Sequence, residues 1–371
     1  MFKRYDISPI ASWWRDIDKA VFLLGLLLLF MGNLFNFLST STIPSEKLYD
    51  SRYFLFYKHI FFSVVGVIIL IFFSFLKKEK AKLYAIIGFA FFVCLLVLVF
   101  FFGVEVKGSR RWLNLIFFRI QPIEFVKPFL ILMIALVLSL QKYRVNSRFF
   151  LSAPFVIISV IFLLMQPDYS QSLLVITIWM IMIFISGISF LFISLIVGSV
   201  IATMISILYF FQNKFFYIFD RIFSWISKVE ISYQSEQALN AIKSGSFLGR
   251  GIGEGILKEK VPEAHTDYVM SVISEEYGIV IVLLVISITM FLVIRIFSLA
   301  NNSSENFYKF SLIGISSLIA IQSFINLGVT INILPSTGMP FPFISYGGSS
   351  IMGSCIALGL ALLLSKKNQY E

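Results

Sequence analysis

A chain of 371 residues that is 58% hydrophobic, 17% aromatic and only 13% charged cannot coat itself as a water-soluble globule, since soluble domains carry about 25% charged residues. The formal charge of +10 resides in short Lys/Arg clusters between apolar runs, where the positive-inside rule places them. Composition therefore excludes a soluble enzyme and argues against nucleic acid as a partner.

In chain order, residues 1–19 are polar and basic with Trp13 and Trp14 adjacent, which predicts a cytoplasmic segment at the membrane surface. Apolar runs of the length that crosses a bilayer, about 20 residues, are expected at 20–39 and 53–76. Lys77, Lys78, Lys80 and Lys82 follow as a compact basic loop and set the orientation, with the N-terminus inside. A third span at 83–103 leads to an outer loop with Lys107, Arg110, Arg111, Trp112 and Arg119.

The fourth span, 121–141, carries Glu124 and Lys127 at i and i+3, a spacing that lets them pair. The fifth, 149–166, ends outside at Gln166-Pro167-Asp168, and the sixth (171–186) and seventh (189–211) meet at a turn near Gly187. Residues 212–266 form one long outer loop, with an amphipathic pattern from Phe215 to Ile226. The eighth span, 267–297, starts at Asp267, and Ser271, Ser274, Glu275 and Glu276 continue its polarity. A ninth span at 310–333 and a Pro/Gly/Ser-rich outer loop, 335–350, lead to a tenth ending before Lys366 and Lys367. The expected fold is an all-α polytopic membrane protein of ten helices with both termini inside. It divides into a cytoplasmic segment 1–19, a single transmembrane domain 20–365 and a tail 366–371.

Ionisable residues in or beside spans are costly and usually functional, and here they gather near the outer leaflet. That placement argues against a proton-relay transporter, which needs its charges near the midplane. Cys94 and Cys355 lie within apolar runs and read as packing residues, and two histidines, His59 and His265, make no His-rich metal site. Gly249, Gly251, Gly253 and Gly255 do not follow a strand, so a dinucleotide fingerprint fails its context. They are expected to be a flexible lead-in to Pro262-Glu263-Ala264-His265-Thr266-Asp267-Tyr268.

Several stretches together resemble the SEDS (shape, elongation, division, sporulation) family, the FtsW/RodA group of membrane peptidoglycan glycosyltransferases. They are Gly108–Trp112, Gln121-Pro122-x-Glu124-x-x-Lys127, Gln166-Pro167-Asp168, Tyr233-Gln234, Ala241–Gly245 and Gly249-Arg250-Gly251-x-Gly253. The P-E-A-H-T-D-Y block, Glu275-Glu276-x-Gly278 and Pro342-Phe343-Ile344-Ser345-Tyr346-Gly347-Gly348-Ser349-Ser350 complete the set. Ile123, Ser170 and Tyr268 replace the family's usual serine, glycine and phenylalanine; none of these changes removes an ionisable group. The opening S-P-I-A-S-W-W-R-D-I-D resembles the FtsW (cell-division) branch of alphaproteobacteria, while Thr337–Pro340 is closer to the RodA (elongation) branch.

The resemblance implies polymerisation of lipid II at the outer face of the bacterial cytoplasmic (inner) membrane at the division septum. It also implies a class B penicillin-binding protein transpeptidase and other divisome membrane proteins as partners. Asp267 is then the expected general base. Arg111, Lys127 and Arg250 are candidates for the pyrophosphate, and Glu263 and His265 for orienting the base or binding the sugar-phosphate. Trp112, Gln121, Glu124, Asp168, Gln234, Thr266, Glu276, Ser345, Tyr346, Gly347, Gly348 and Ser349 complete the expected substrate-binding set. A divalent cation (Mg or Mn) is compatible with the pyrophosphate, with Asp168 or Asp267 as oxygen ligands. A lipid II flippase, an elongation-type polymerase and a non-catalytic scaffold remain alternatives.

Overall fold

A computed structural model describes residues 8–40, 54–106, 109–115, 118–189, 191–195, 198–199, 202, 233–257, 261 and 264–366. A short amphipathic helix, α1 (Pro9–Asp16), is capped by Ser8 and begins on a proline, whose missing N–H costs nothing there. Trp13 of α1 donates from Nε1 to Ser74 Oγ (2.9 Å) and stacks on Phe75 at 4.7 Å, fixing α1 against the end of the second long helix.

The long helices are α2 (Lys19–Thr40), α3 (Phe54–Phe75), α4 (Ala81–Phe102), α5 (Pro122–Leu138), α6 (Val145–Met165) and α7 (Tyr169–Ile185). After α8 (Tyr233–Gly245) come α9 (Val269–Asn301), α10 (Asn306–Thr330) and α11 (Gly348–Leu364). Among the described residues six helices are long and apolar enough to cross a membrane, and α7 and α11 are shorter apolar helices. Their outer faces expose Leu, Ile and Phe, as hydrocarbon requires. Most of the seventh expected span, the pattern from Phe215 to Ile226, and Lys367 lie outside the described residues; of that span 189, 191–195, 198–199 and 202 are described.

The helix α5 is the axis of the bundle. Every residue of it but Leu136 is buried, and α4, α6, α7, α10 and α11 all pack on it. Small residues allow the close crossings: a Cβ on Gly353 of α11 would lie 2.5 Å from the Glu124 carbonyl oxygen. At one end of the bundle Lys82 pairs with Glu305, Lys366 donates to the Leu76 carbonyl (2.8 Å), and Arg295 pairs with Asp18 at 2.7 Å.

Three departures from the sequence expectation concern the opposite end. The loop after α4 is a small antiparallel sheet, β1 (Val104–Val106), β2 (Ser109–Asn114) and β3 (Arg119–Ile120), in order β1-β2-β3. Leu113 is the one buried residue of β2 and anchors it to the bundle end, where the strands pair their backbones with one another. The long loop contains α8, whose Ala238 and Ala241 are buried against Val261, Tyr268 and Val329. Helix α9 starts at Val269 with Tyr268 as its N-cap, so Asp267 stands in the turn ahead of the helix rather than at its first position.

Candidate active site

The bundle end opposite the Lys77–Lys82 cluster is organised by the loop between α10 and α11. Asn326 of α10 donates from Nδ2 to the carbonyls of Asp267 (2.9 Å) and Met339 (2.7 Å), binding the turn before α9 to that loop. Tyr346 donates its backbone N–H to the His265 carbonyl (2.8 Å), and its ring meets those of His265 (5.6 Å) and His59 (6.0 Å). Burial holds the Tyr346 phenol above its ordinary pKa. His265, Thr266 and Asp267 are half-buried, neither sealed in the core nor free in solvent. Gly338, at φ +69, has no side chain to fill the space where a Cβ would lie 3.7 Å from Asp267 Oδ2.

The same loop reaches the second half of the site. Ser349 Oγ accepts from the Gln121 N–H (2.9 Å), and Gln121 Nε2 donates to Asp168 Oδ2 (3.3 Å). Asp168, the N-cap of α7, lies 3.6 Å from Arg111 Nη1, and Arg111 also donates to the carbonyls of Gln166 (3.2 Å) and Pro167. Burial raises the Asp168 pKa, and Arg111 opposes that without cancelling it. Trp112 is half-buried beside Arg111 on β2. Ser345 Oγ accepts from the Phe341 N–H (2.8 Å), which shapes the loop internally, while Gly348 lies where a Cβ would meet the Phe62 ring at 2.7 Å. Gly347 is the N-cap of α11, and Gln234 is half-buried on α8.

Beneath this surface Glu124 and Lys127 pair at 2.9 Å as their spacing predicts, both buried. Lys127 Nζ also donates to Gln171 Oε1 (3.2 Å) and Gln322 Oε1 (3.3 Å), and Gln171 Nε2 donates to Glu124 Oε1 (2.9 Å). An ammonium has three donors, and all three are engaged. Lys127 is thus a structural cation inside the bundle and not a free ligand for pyrophosphate. Gln171, Gln322 and Asn326 are not in the set expected from the sequence, although Gln322 and Asn326 are two amides four residues apart in one apolar run, which is itself a signal of internal partners.

The start of the glycine-rich stretch is packed against α9 rather than a flexible lead-in. A Cβ on Gly249 would lie 2.1 Å from the Glu276 carbonyl oxygen, and one on Gly245 would lie 1.8 Å from that of Ser274. These glycines admit close approach of two backbones, one of the uses glycine serves. Arg250 itself is exposed and donates from Nε to the Ser244 carbonyl (3.4 Å). Glu276 is buried, and Glu263 lies outside the described residues. Among the described residues no three His, Cys, Asp or Glu side chains gather as a metal site. The Asp168 carboxylate already accepts from Gln121 and the Gln171 N–H beside Arg111, so a cation there would meet a guanidinium. Asp168 does not fit the metal-ligand role.

Residues 18–370 match the family model FTSW_RODA_SPOVE, described as a cell cycle protein. The chain belongs to this family. Among curated relatives of this FtsW/RodA/SpoVE protein is the probable peptidoglycan glycosyltransferase FtsW of Caulobacter vibrioides. It is 29% identical, over 99% of this chain and 93% of that protein. The probable peptidoglycan glycosyltransferase FtsW of Trichlorobacter lovleyi is 31% identical, over 94% and 93%. The fold is shared with a chain from a structure of a peptidoglycan synthase complex that coordinates polymerization and crosslinking. That match has a TM-score of 0.77 and 24% identity, and covers 94% of this chain and 97% of that one. It is shared also with the rod shape determining protein RodA of Thermus thermophilus (TM-score 0.70, 24% identity, 95% and 97% covered). The FtsW/RodA/SpoVE chain is thus an all-α, multi-span membrane protein, as expected.

Proposed function

We propose that this FtsW-like peptidoglycan glycosyltransferase polymerises lipid II at the outer face of the cytoplasmic membrane during septal synthesis, with Asp267 as general base. The observation that carries the reading is the placement of Asp267. Its backbone is pinned by Asn326, its neighbour His265 is pinned by Tyr346, and its half-buried carboxylate faces the space beside Gly338. A carboxylate held at a bundle end is positioned to accept a proton from a sugar hydroxyl of a lipid-anchored substrate.

In the reaction, the 4-hydroxyl oxygen of one GlcNAc bonds to the anomeric carbon of MurNAc on a second lipid II. The hydroxyl proton passes to Asp267, and the bond from the anomeric carbon to the undecaprenyl pyrophosphate breaks. The leaving pyrophosphate needs cations. Arg250 is exposed and Arg111 is partly so, whereas Lys127 is spent inside the bundle. Guanidinium forks suit phosphate oxygens, so the two arginines take that task. Buried Asp168, itself held by Gln121, orients Arg111. The relatives named FtsW support the septal role, and the fold shared with a chain of the peptidoglycan synthase complex that coordinates polymerization and crosslinking supports a class B transpeptidase as partner.

The test is gel analysis of glycan strands made from lipid II by the purified protein with that transpeptidase. Wild type yields strands, and a folded Asp267→Asn variant yields none. Normal strands from Asp267→Asn would overturn the base assignment. Lipid II that crosses liposomes without strand formation would identify a flippase instead.

A further inference from the structure

The helix α9 is broken at Gly278, which has φ +81 and ψ 172. In an unbroken α-helix the amides of Ile279 and Val280 would donate to the carbonyls of Glu275 and Glu276, four residues back. Here Ile279 donates to Ser246 (3.1 Å) and Val280 to Phe247 (3.5 Å), while the two freed carbonyls accept from Arg250 (2.9 Å) and Gly251 (3.1 Å). The segment 246–251 is thus threaded into the break as a backbone partner, and two helical bonds are replaced by four.

The side chain of Glu275 continues this contact further along the same segment. It is wholly buried, and its Oε1 accepts from the backbone N–H groups of Ile256 (2.9 Å) and Leu257 (2.8 Å). A carboxylate in the interior of a membrane bundle is costly unless charge-assisted hydrogen bonds compensate it. Leu257 in turn packs into the small apolar cluster containing Val261 and Tyr268, and Tyr268 adjoins Asp267. Glu275 lies seven residues beyond Tyr268, about 10 Å along the helix, so the clamp and the proposed base are joined through one packed cluster.

We infer that Glu275 is a positioning residue for glycosyl transfer: its carboxylate clamps the backbone at Ile256 and Leu257 and so sets where the turn bearing Asp267 meets α9. The inference rests on Asp267 being the base.

The experiment measures amide hydrogen exchange over 250–257, and kcat and KM for lipid II, in the full-length protein with its transpeptidase. Glu275→Ala removes the acceptor, so exchange over 250–257 accelerates about tenfold, the worth of one such hydrogen bond. The kcat falls by about tenfold with KM changed by less than about threefold, the pattern of a misplaced catalytic group. Glu275→Gln keeps an oxygen acceptor in the same place and retains most of both properties. Gly255→Ala disturbs the clamp without removing its carboxylate, because the added Cβ would press on Glu275 Cδ and Oε2, each 3.1 Å away; it shifts exchange and kcat in the same direction as Glu275→Ala, and together with Glu275→Gln it decides the matter should Glu275→Ala not fold. Faster exchange with unchanged kcat would overturn the inference, as would loss of turnover in Glu275→Gln with exchange unchanged. Asp267→Asn separates the two readings: it abolishes turnover and leaves exchange over 250–257 as in wild type. If it turns over normally the base assignment fails, while the Glu275 variants still report on the clamp.

Discussion

The amide of Asn326 bridges Asp267 and Met339, with one nitrogen donating to both carbonyls at 2.9 and 2.7 Å. It therefore joins α10, the turn before α9 and the loop before α11 at one atom. Replacement by leucine leaves two carbonyls without that donor, each worth about 1–3 kcal/mol when buried. Asn326→Leu is expected to lower unfolding stability in detergent by about 2 kcal/mol and strand synthesis by about tenfold. Thermal unfolding and glycan gels check the two effects. A variant that unfolds earlier but keeps full turnover would show that the bridge supports the fold and not the placement of Asp267.

The buried Glu124–Lys127 pair makes a different demand. Removing one member strands the other charge in the bundle, a loss of about 3–5 kcal/mol, whereas replacing both by neutral groups of similar volume is often tolerated. Lys127→Met alone is expected to yield little folded protein. Glu124→Gln combined with Lys127→Met is expected to recover much of it, as judged by monodisperse elution and unfolding midpoint. Equal damage from the single and the double change would mean that the charges act beyond their mutual compensation.

These contacts mark what could be read from the residues alone. The spans from Lys19 to Thr330 were legible because a bilayer rewards one-dimensional hydropathy, and the i, i+3 spacing of Glu124 and Lys127 announced their pairing. Strand β2 was not legible, since S-R-R-W-L-N is short and only one of its residues is buried. The break in α9 was beyond reach for another reason. The backbone groups that replace its helical bonds come from Ser246–Gly251, nearly thirty residues earlier in the chain, and no local pattern around Gly278 names that partner. Asn326 and Gln322 carry a readable signal: two amides in one apolar run imply partners, though not which ones.

The glycines of the threaded segment separate by what surrounds them. Gly249 and Gly253 share positive φ, +80 and +83, but a Cβ on Gly249 would lie 2.1 Å from the Glu276 carbonyl oxygen and one on Gly253 meets nothing within 4 Å. Gly253→Ala should cost about 1 kcal/mol, the conformational penalty alone. Gly249→Ala must also push α9 and the segment apart, so its cost is expected to exceed that by about 2 kcal/mol or more. Parallel thermal unfolding of the two variants is the check, and equal midpoints would show that the segment does not sit against α9 as closely as these distances require.

Two carboxylates outside the spans link stability to pH in opposite senses. Burial by itself would raise the Asp18 pKa, but the Arg295 hydrogen bonds and the Val21 N–H outweigh it and hold the carboxyl below its ordinary value. Its contribution is therefore present above the unfolded value of 3.8 and lost as pH falls through the lower folded value. Burial dominates at Asp168, whose pKa lies above 3.8 in spite of Arg111. That contribution is full below the unfolded value and lost as pH rises through the folded one. Unfolding midpoints measured from about pH 2 to about pH 7 should then diverge. Asp18→Asn falls further behind wild type as pH rises to about 4, near the unfolded value, because wild type gains an ion pair that the amide cannot form, and above that the gap holds constant. Asp168→Asn gains on wild type as pH rises above about 4, because wild type alone must ionise a buried acid. Curves for the two variants that move in the same direction relative to wild type would contradict the placement of one carboxylate beside a dominant partner and of the other in a dominant desolvating site.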